Sequence, residues 1–219
     1  MAITIAVDGP AGSGKSSIFS KVAEVLGYVF LDTGLIYRAL TWYGLQQKIN
    51  FENEKEIIKL LSKFDFKIEN GEIIINNENI NNYLMSHDIL GNINKITSIP
   101  EVRSWIVEKV RMMVKQSGYV VLGRDVTSVI LPNADLKIYL DSSVYTRAER
   151  RLKQNIEKNV QPKDLHKIEE MIITRDYNDT NRAIGPLVKV KDAWVIDNSN
   201  KNIDEIVKEV IDKVNNMIN

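Results

Sequence analysis

The sequence predicts an α/β fold, a parallel sheet of five strands flanked by helices, with a small antiparallel insertion. Three observations carry that prediction. Strand-like and helix-like apolar periods alternate along most of the chain, the pattern of a parallel sheet joined by crossover helices. Residues 9–16 read Gly-Pro-Ala-Gly-Ser-Gly-Lys-Ser, set between an apolar strand and an amphipathic helix. One alternating stretch, divided by Asn70-Gly71, interrupts the rhythm and reads as a hairpin.

The first strand is Ile3 to Val7, a short β-branched apolar run that stops at Asp8 and reads as buried. Ile18, Val22, Val25 and Leu26 recur at helical spacing until Gly27, a C-terminal cap. Tyr28 to Leu31 is a second strand, followed by a helix from about Leu35 to Gln47 and another from Glu54 to Lys63. Phe64 to Ile75 alternates about Asn70-Gly71, a dipeptide whose turn needs positive φ at both positions. Antiparallel pairing does not belong inside a wound parallel sheet, so residues 62–97 are expected as an accessory insertion. The core is then 1–61 and 98–219. The Asn-rich run 76–82 fits a spacer by composition, but Asn is abundant throughout and a small folded unit is preferred. Val102, Ile106, Val110, Met113 and Val114 mark a helix from Pro100 that Gly118 ends. Strands are expected at 119–122, 136–140 and 193–196, with helices at 147–158, 165–175 and 203–217.

The octapeptide fills the template G-x-x-x-x-G-K-[ST] at every fixed position, in its strand–loop–helix context. This makes the fold one of the P-loop NTPase type. Backbone N–H groups of such a loop converge on phosphate oxygens, and the helix N-terminus adds partial positive charge. Gly9, Pro10, Ala11, Gly12, Ser13, Gly14, Lys15, Ser16 and Ser17 are therefore expected to bind ATP. Lys15 is expected on the β- and γ-phosphates, and the Ser16 hydroxyl on Mg²⁺.

Bulk properties set limits. With 219 residues the chain can bury a core without staples, and it has no Cys. Disulfides, zinc-thiolate sites and cysteine nucleophiles are excluded. Lys plus Arg and Asp plus Glu are 29 each, so no overall field draws nucleic acid or anionic membrane. The apolar N-terminal stretch lacks a basic lead and stops at Asp8, and no run is long enough to span a bilayer. A cytoplasmic monomer acting on small molecules is expected. His87 and His166 have no partner pattern and read as surface or packing residues.

Further strings surround the loop: Asp32-Thr33-Gly34-Leu35-Ile36-Tyr37-Arg38, Gly123-Arg124-Asp125, Arg175-Asp176 through Asn181-Arg182-Ala183, Leu131-Pro132-Asn133-Ala134, Arg147-Ala148-Glu149-Arg150-Arg151 and Pro186-Leu187. In these the chain resembles, essentially end to end, the bacterial cytidylate kinases, members of the nucleoside monophosphate kinases. The resemblance implies ATP-dependent phosphorylation of CMP or dCMP, with 62–97 as the monophosphate-binding insertion and a lid at about 147–164. It implies that Arg38 and Arg124 hold the acceptor phosphate beside Tyr37. Thr33, Arg103, Asp125 and Arg182 would read the pyrimidine, and Arg175 and Asp179 would meet the ribose. Arg147, Arg150 and Arg151 would close over the triphosphate; Lys15, Arg124, Arg147 and Arg151 are the catalytic set. Physical chemistry agrees with an arginine-rich acceptor site, because guanidinium forks grip phosphate oxygens bidentately. Arg38, Arg124, Arg175 and Arg182 are expected near strand ends or in loops.

Three positions depart from the family pattern. Leu122 stands where an Asp supporting the metal is common, with Asp8 and Asp125 as substitutes. Thr127-Ser128 replaces Gly-Thr, placing a β-branched side chain at a flexible position. Asn94 stands where a ribose-contacting Ser is expected. Two alternatives stay open at this stage. One is a kinase for UMP, dTMP or a small non-nucleotide acceptor. The other is a nucleotide-controlled switch, although no Asn-Lys-x-Asp base-reading motif is present.

Overall fold

The computed structural model describes residues 2–69, 71–116, 118–157 and 159–218. Five strands form the parallel sheet: β1 (Thr4–Asp8), β2 (Val29–Asp32), β6 (Tyr119–Leu122), β7 (Leu136–Asp141) and β8 (Trp194–Asp197). Their order across it is β2-β6-β1-β7-β8. Each of the five predicted strands is present within a residue or two. The chain divides into two compact units, Met1–Tyr28 with Ser117–Asn219, and Val29–Gln116.

In the first unit β1 is central, with Ile5, Ala6 and Val7 fully buried. It runs parallel to β6, pairing Val7 with Leu122, and parallel to β7, pairing Asp8 with Tyr139. Burial on both faces explains why these strands are continuously apolar rather than alternating. The helices of this unit are α1 (Lys15–Leu26), α6 (Val144–Glu157), α7 (Leu165–Asn181) and α8 (Ile203–Ile218). α1 packs on α8 and α6 on α7. Gly27 ends α1 at φ 66°, its N–H reaching the carbonyls of Ala23 and Glu24. α7 continues six residues past its expected end. Asp176, Asp179 and Asn181 read as helix breakers, but the Thr180 hydroxyl and the Asn181 amide donate back to the carbonyls of Asp176 and Tyr177 and stay on the helix.

The second unit holds β2, α2 (Thr33–Gln46), α3 (Glu54–Leu61), α4 (His87–Thr97) and α5 (Pro100–Met113). It also holds an antiparallel sheet made of β3 (Lys67–Glu69), β4 (Glu72–Ile75) and β5 (Glu78–Asn79), in the order β3-β4-β5. Glu69 faces Glu72 across the predicted hairpin. Of its turn, Asn70 lies outside the described residues and Gly71 has φ 79°. The Asn-rich run is ordered turn and strand: Asn76 and Asn77 take φ 51° and 65°, a left-handed conformation that Asn tolerates. The Phe64 ring lies 5.2 Å from Phe66 and 5.6 Å from both Trp105 and Tyr43, an aromatic core for this unit. Trp42 stacks on Tyr83 at 6.1 Å. α5 stops at Met113, ahead of the Gly118 that the sequence suggested.

Two contacts at the C-terminal end of β1 fix the glycine-rich loop and the chain leaving β6. Gly9 has φ 151°, and a Cβ there would lie 2.2 Å from the Leu140 carbonyl oxygen, so only glycine lets β7 come this close. Asp8 is fully buried, and its carboxylate accepts from the N–H groups of Val126 (3.0 Å) and Thr127 (2.7 Å) and from the Thr127 hydroxyl (2.6 Å). The β-branched residue that replaces glycine at 127 thus supplies a third donor to a buried carboxyl group. Residues Val126–Ile130 form one π-helical turn, with Leu131 N–H bonded to the Val126 carbonyl at 2.7 Å.

Burial pushes the Asp8 carboxyl above its ordinary 3.8, with the Thr127 and Val126 hydrogen bonds pulling the other way. The folded chain therefore holds this proton to higher pH than the unfolded chain. Asp8's contribution to stability is fullest below 3.8 and declines as pH rises through its folded value. The unfolding free energy of wild type minus that of Asp8→Asn, measured in urea from about pH 3 to pH 7, should fall with pH; a flat or rising difference contradicts the burial account. Gly9→Ala should lower stability by about 3 kcal/mol through the Leu140 clash, read as a lower urea midpoint at unchanged slope.

Candidate active site

The glycine-rich loop is held by its carbonyl oxygens. Lys15 is buried, and its ammonium donates to the carbonyls of Gly9 (2.6 Å) and Pro10 (2.8 Å) and to the Ser13 hydroxyl (3.3 Å). Gly14, at φ 94°, precedes the first residue of α1. Ser16 and Ser17 are exposed on the first turn.

Arg147, only 4 % exposed, ties three segments together. Its guanidinium donates to the Ala11 carbonyl of the loop at 3.0 Å, to the Ser142 carbonyl after β7 at 3.0 Å, and to Asp176 of α7 at 2.6 Å. Arg150 forks onto Asn198, reaching the side-chain Oδ1 at 2.8 Å and the main-chain carbonyl at 2.9 Å. The Asn198 amide donates in turn to the Ser13 carbonyl. The three arginines expected to close over the triphosphate have different environments: Arg147 is buried, Arg150 half-buried and Arg151 exposed. Sequence reasoning missed Asn198, Asp176 and Ser142 as partners. No pattern marks them, because each is defined by groups distant in sequence. Tyr139, opposite Asp8 on β7, has its phenol pushed up to about 12 by burial and by the nearby carboxylates of Asp141, Asp176 and Asp8. It stays neutral at physiological pH.

A second cluster in the same unit joins four of the predicted acceptor residues. Arg124 Nε donates to Asp179 Oδ2 at 2.9 Å, and its Nη1 to the Gly123 carbonyl at 3.1 Å. Arg182 lies 4.0 Å from Asp179 and 3.5 Å from the buried Asp125, and its Nε donates to the Gly185 carbonyl. The Asp179 main-chain carbonyl accepts from Leu187 N–H at 2.8 Å, fixing the chain after α7. The result is an alternating row, Arg124–Asp179–Arg182–Asp125. Each charge has an opposite neighbour, which orients the forks while leaving the row neutral. Arg175 stands one turn before Asp179 on an exposed face of α7, within a helix rather than a loop.

In the second unit Arg103 is buried on α5, donates to the Thr97 carbonyl at 3.3 Å, and holds its guanidinium 5.8 Å from the centre of the Tyr37 ring. Tyr37 and Thr33 are buried on α2, whose start is capped by the Asp32 carboxylate accepting from Gly34 N–H at 2.9 Å. Arg38 is half-buried on α2, a helix rather than a strand end, and Asn94 is exposed on α4. Both histidine side chains are exposed.

The donor chemistry near the loop suits a hard cation held chiefly by phosphate and water. Among the described residues, no group of three or more His, Cys, Asp or Glu side chains could hold a metal ion. The exposed Ser16 hydroxyl is a suitable single oxygen ligand. Asp8 has both carboxylate oxygens engaged by residues 126–127, and Asp125 faces Arg182, so both suggested substitutes for the acid absent at Leu122 already serve protein groups. No helix among the described residues is long and apolar enough to cross a membrane.

The family model for cytidylate kinase matches residues 5–216. The chain is 52 % identical over 215 residues to the cytidylate kinase of Mycoplasma capricolum, covering 98 % of this chain and 97 % of that one. It is 50 % identical over 212 residues to the cytidylate kinase of Mesoplasma florum, covering 97 % and 95 %. An uncharacterised protein from Eubacterium ventriosum of known structure superposes with a TM-score of 0.50 at 13 % identity, over 97 % of this chain and 98 % of that one, a likeness of fold alone. A match spanning nearly every residue from β1 to α8, around a P-loop with paired arginines and carboxylates, places the chain in the cytidylate kinase family.

Proposed function

We propose that this protein transfers the γ-phosphoryl group of ATP to CMP or dCMP, giving ADP and CDP or dCDP. The observation that carries this is the alternating row Arg124–Asp179–Arg182–Asp125, standing in the same unit as the P-loop. A monophosphate acceptor needs guanidinium forks for its phosphate and a carboxylate acceptor for an exocyclic amino group, and cytosine presents that amino group. Uracil and thymine present a carbonyl there, which a carboxylate repels.

The residues divide the work. Loop N–H groups and Lys15 hold the triphosphate. Arg38 and Arg124 hold the acceptor phosphate beside Tyr37, and Thr33, Arg103, Asp125 and Arg182 read the base. Arg175 and Asp179 take the ribose, with Asn94 contributing from the insertion 62–97. The lid spans about 147–164, of which Lys158 lies outside the described residues. Arg147 fixes the loop through Ala11, and the exposed Arg151 reaches the transferring group. An acceptor phosphate oxygen attacks the γ-phosphorus. The new O–P bond forms as the bond to the β–γ bridging oxygen breaks, and ADP leaves with that electron pair. No general base is needed, because a phosphate monoester with a second pKa near about 6 is already largely ionised. Ser16, the ATP phosphates and water would hold Mg²⁺, which when bound neutralises charge on the β- and γ-phosphates.

A coupled assay for ADP release should show stimulation by CMP and dCMP well above UMP, AMP or GMP; equal rates across the panel overturn the assignment. Asp125→Ala should lower turnover of CMP more than that of UMP. Lys15→Ala should reduce kcat by more than about a hundredfold with the circular dichroism spectrum unchanged. Arg38→Ala should raise KM for CMP and lower kcat while KM for ATP changes by less than about twofold. Equal damage to ATP binding would show the two sites misassigned.

A further inference from the structure

We infer that Asn198 is a positioning residue for the donor phosphates, coupling Arg150 of α6 to the orientation of one loop peptide. This deepens the kinase assignment and rests on it. Asn198 follows β8, is 2 % exposed, and is anchored by its own N–H to the Asp141 carbonyl at 3.0 Å. Its side-chain amide does two things at once. Oδ1 accepts from Arg150 at 2.8 Å, and Nδ2 donates to the Ser13 carbonyl. Arg150's second nitrogen closes the fork on the Asn198 main-chain carbonyl at 2.9 Å, so the amide cannot rotate without breaking a bidentate grip.

The consequence falls on the Ser13–Gly14 peptide. A trans peptide is planar, with C=O and N–H pointing to opposite sides. Holding the Ser13 oxygen on Asn198 therefore turns the Gly14 N–H away from Asn198, and that N–H belongs to the loop that cradles phosphate. Gly14 sits tightly here, since a Cβ on it would lie 3.2 Å from Asn198 Nδ2. A cation on Oδ1 also polarises the amide and strengthens its donation to Ser13. The role requires one donor and one acceptor at short reach from β8. Asp keeps the acceptor for Arg150 but loses the donor for Ser13, and Ala loses both.

Binding of a non-hydrolysable ATP analogue, followed by calorimetry without acceptor, tests this apart from the acceptor assignment. CMP-stimulated turnover by wild type tests that assignment separately. Asn198→Ala and Asn198→Asp should each weaken analogue binding about tenfold, the worth of one buried hydrogen bond, while KM for CMP stays within about twofold of wild type. The near-isosteric Asn198→Asp carries the test if Asn198→Ala fails to fold. The double variant Arg150→Met/Asn198→Ala should bind no worse than Asn198→Ala alone, because both act through the same link. Wild-type analogue affinity in Asn198→Asp overturns the proposal, as does an equal rise in KM for CMP, or a lowered melting temperature with analogue affinity unchanged.

Discussion

The constraint on which this structure depends is the capture of the P-loop's carbonyl oxygens. Lys15 takes those of Gly9 and Pro10, Arg147 takes that of Ala11, and Asn198 takes that of Ser13. Each capture fixes a peptide plane, and those on Pro10, Ala11 and Ser13 send the N–H groups of Ala11, Gly12 and Gly14 the other way, whereas the residue after Gly9 is Pro10, which has no N–H. The three donors come from α1, α6 and the end of β8, which explains why a short glycine-rich segment holds one shape. Glycine alone would make it soft, because glycine has the most backbone freedom to lose. The shape is imposed by charged and amide donors on its carbonyl oxygens, and the direction of its N–H groups is a consequence of it.

The same economy governs the other contact at the end of β1. A buried Asp8 is costly unless hydrogen-bonded, and here it receives three donors from residues 126–127. That contact fixes the chain leaving β6, and with it Arg124 and Asp125. The π turn extends the effect, since the Asp125 carbonyl accepts from the N–H groups of both Val129 and Ile130. Arg124 and Asp125 then join Asp179 and Arg182 in a row where no charge lacks an opposite. Such a row is weak evidence for stability, because desolvation offsets attraction. Its physical value lies in fixing the direction of the guanidinium forks.

Much of this was legible in the sequence, for identifiable reasons. The strands could be placed because a doubly covered parallel sheet writes itself as short apolar runs. The P-loop could be placed because its backbone geometry demands glycines at fixed spacing. α7 was underestimated because Asp, Asn and Thr at 176–181 favour loops in isolation, whereas back-bonding and the Asp179–Arg182 pair hold them in the helix. The Asn-rich run suggested low complexity but encodes left-handed turn positions at 76 and 77. Arg150 was legible as part of a basic stretch, yet its fork onto Asn198 was not. A lone Asn among many carries no periodic signal, and its role exists only once three distant segments meet. In the sequence Thr127 is only a β-branched residue at a flexible position, whereas in the fold its hydroxyl donates to Asp8, a partner 119 residues away.

The most direct test of the central claim is amide NMR of the loop during titration with a non-hydrolysable ATP analogue and Mg²⁺. If captured carbonyls turn the N–H groups toward the anion, the Gly12 and Gly14 amide protons should move strongly downfield as phosphate becomes their acceptor. Saturating the protein with CMP alone should leave them in place. Loop amides that stay unmoved by the analogue, with the shifts appearing elsewhere, would contradict the account.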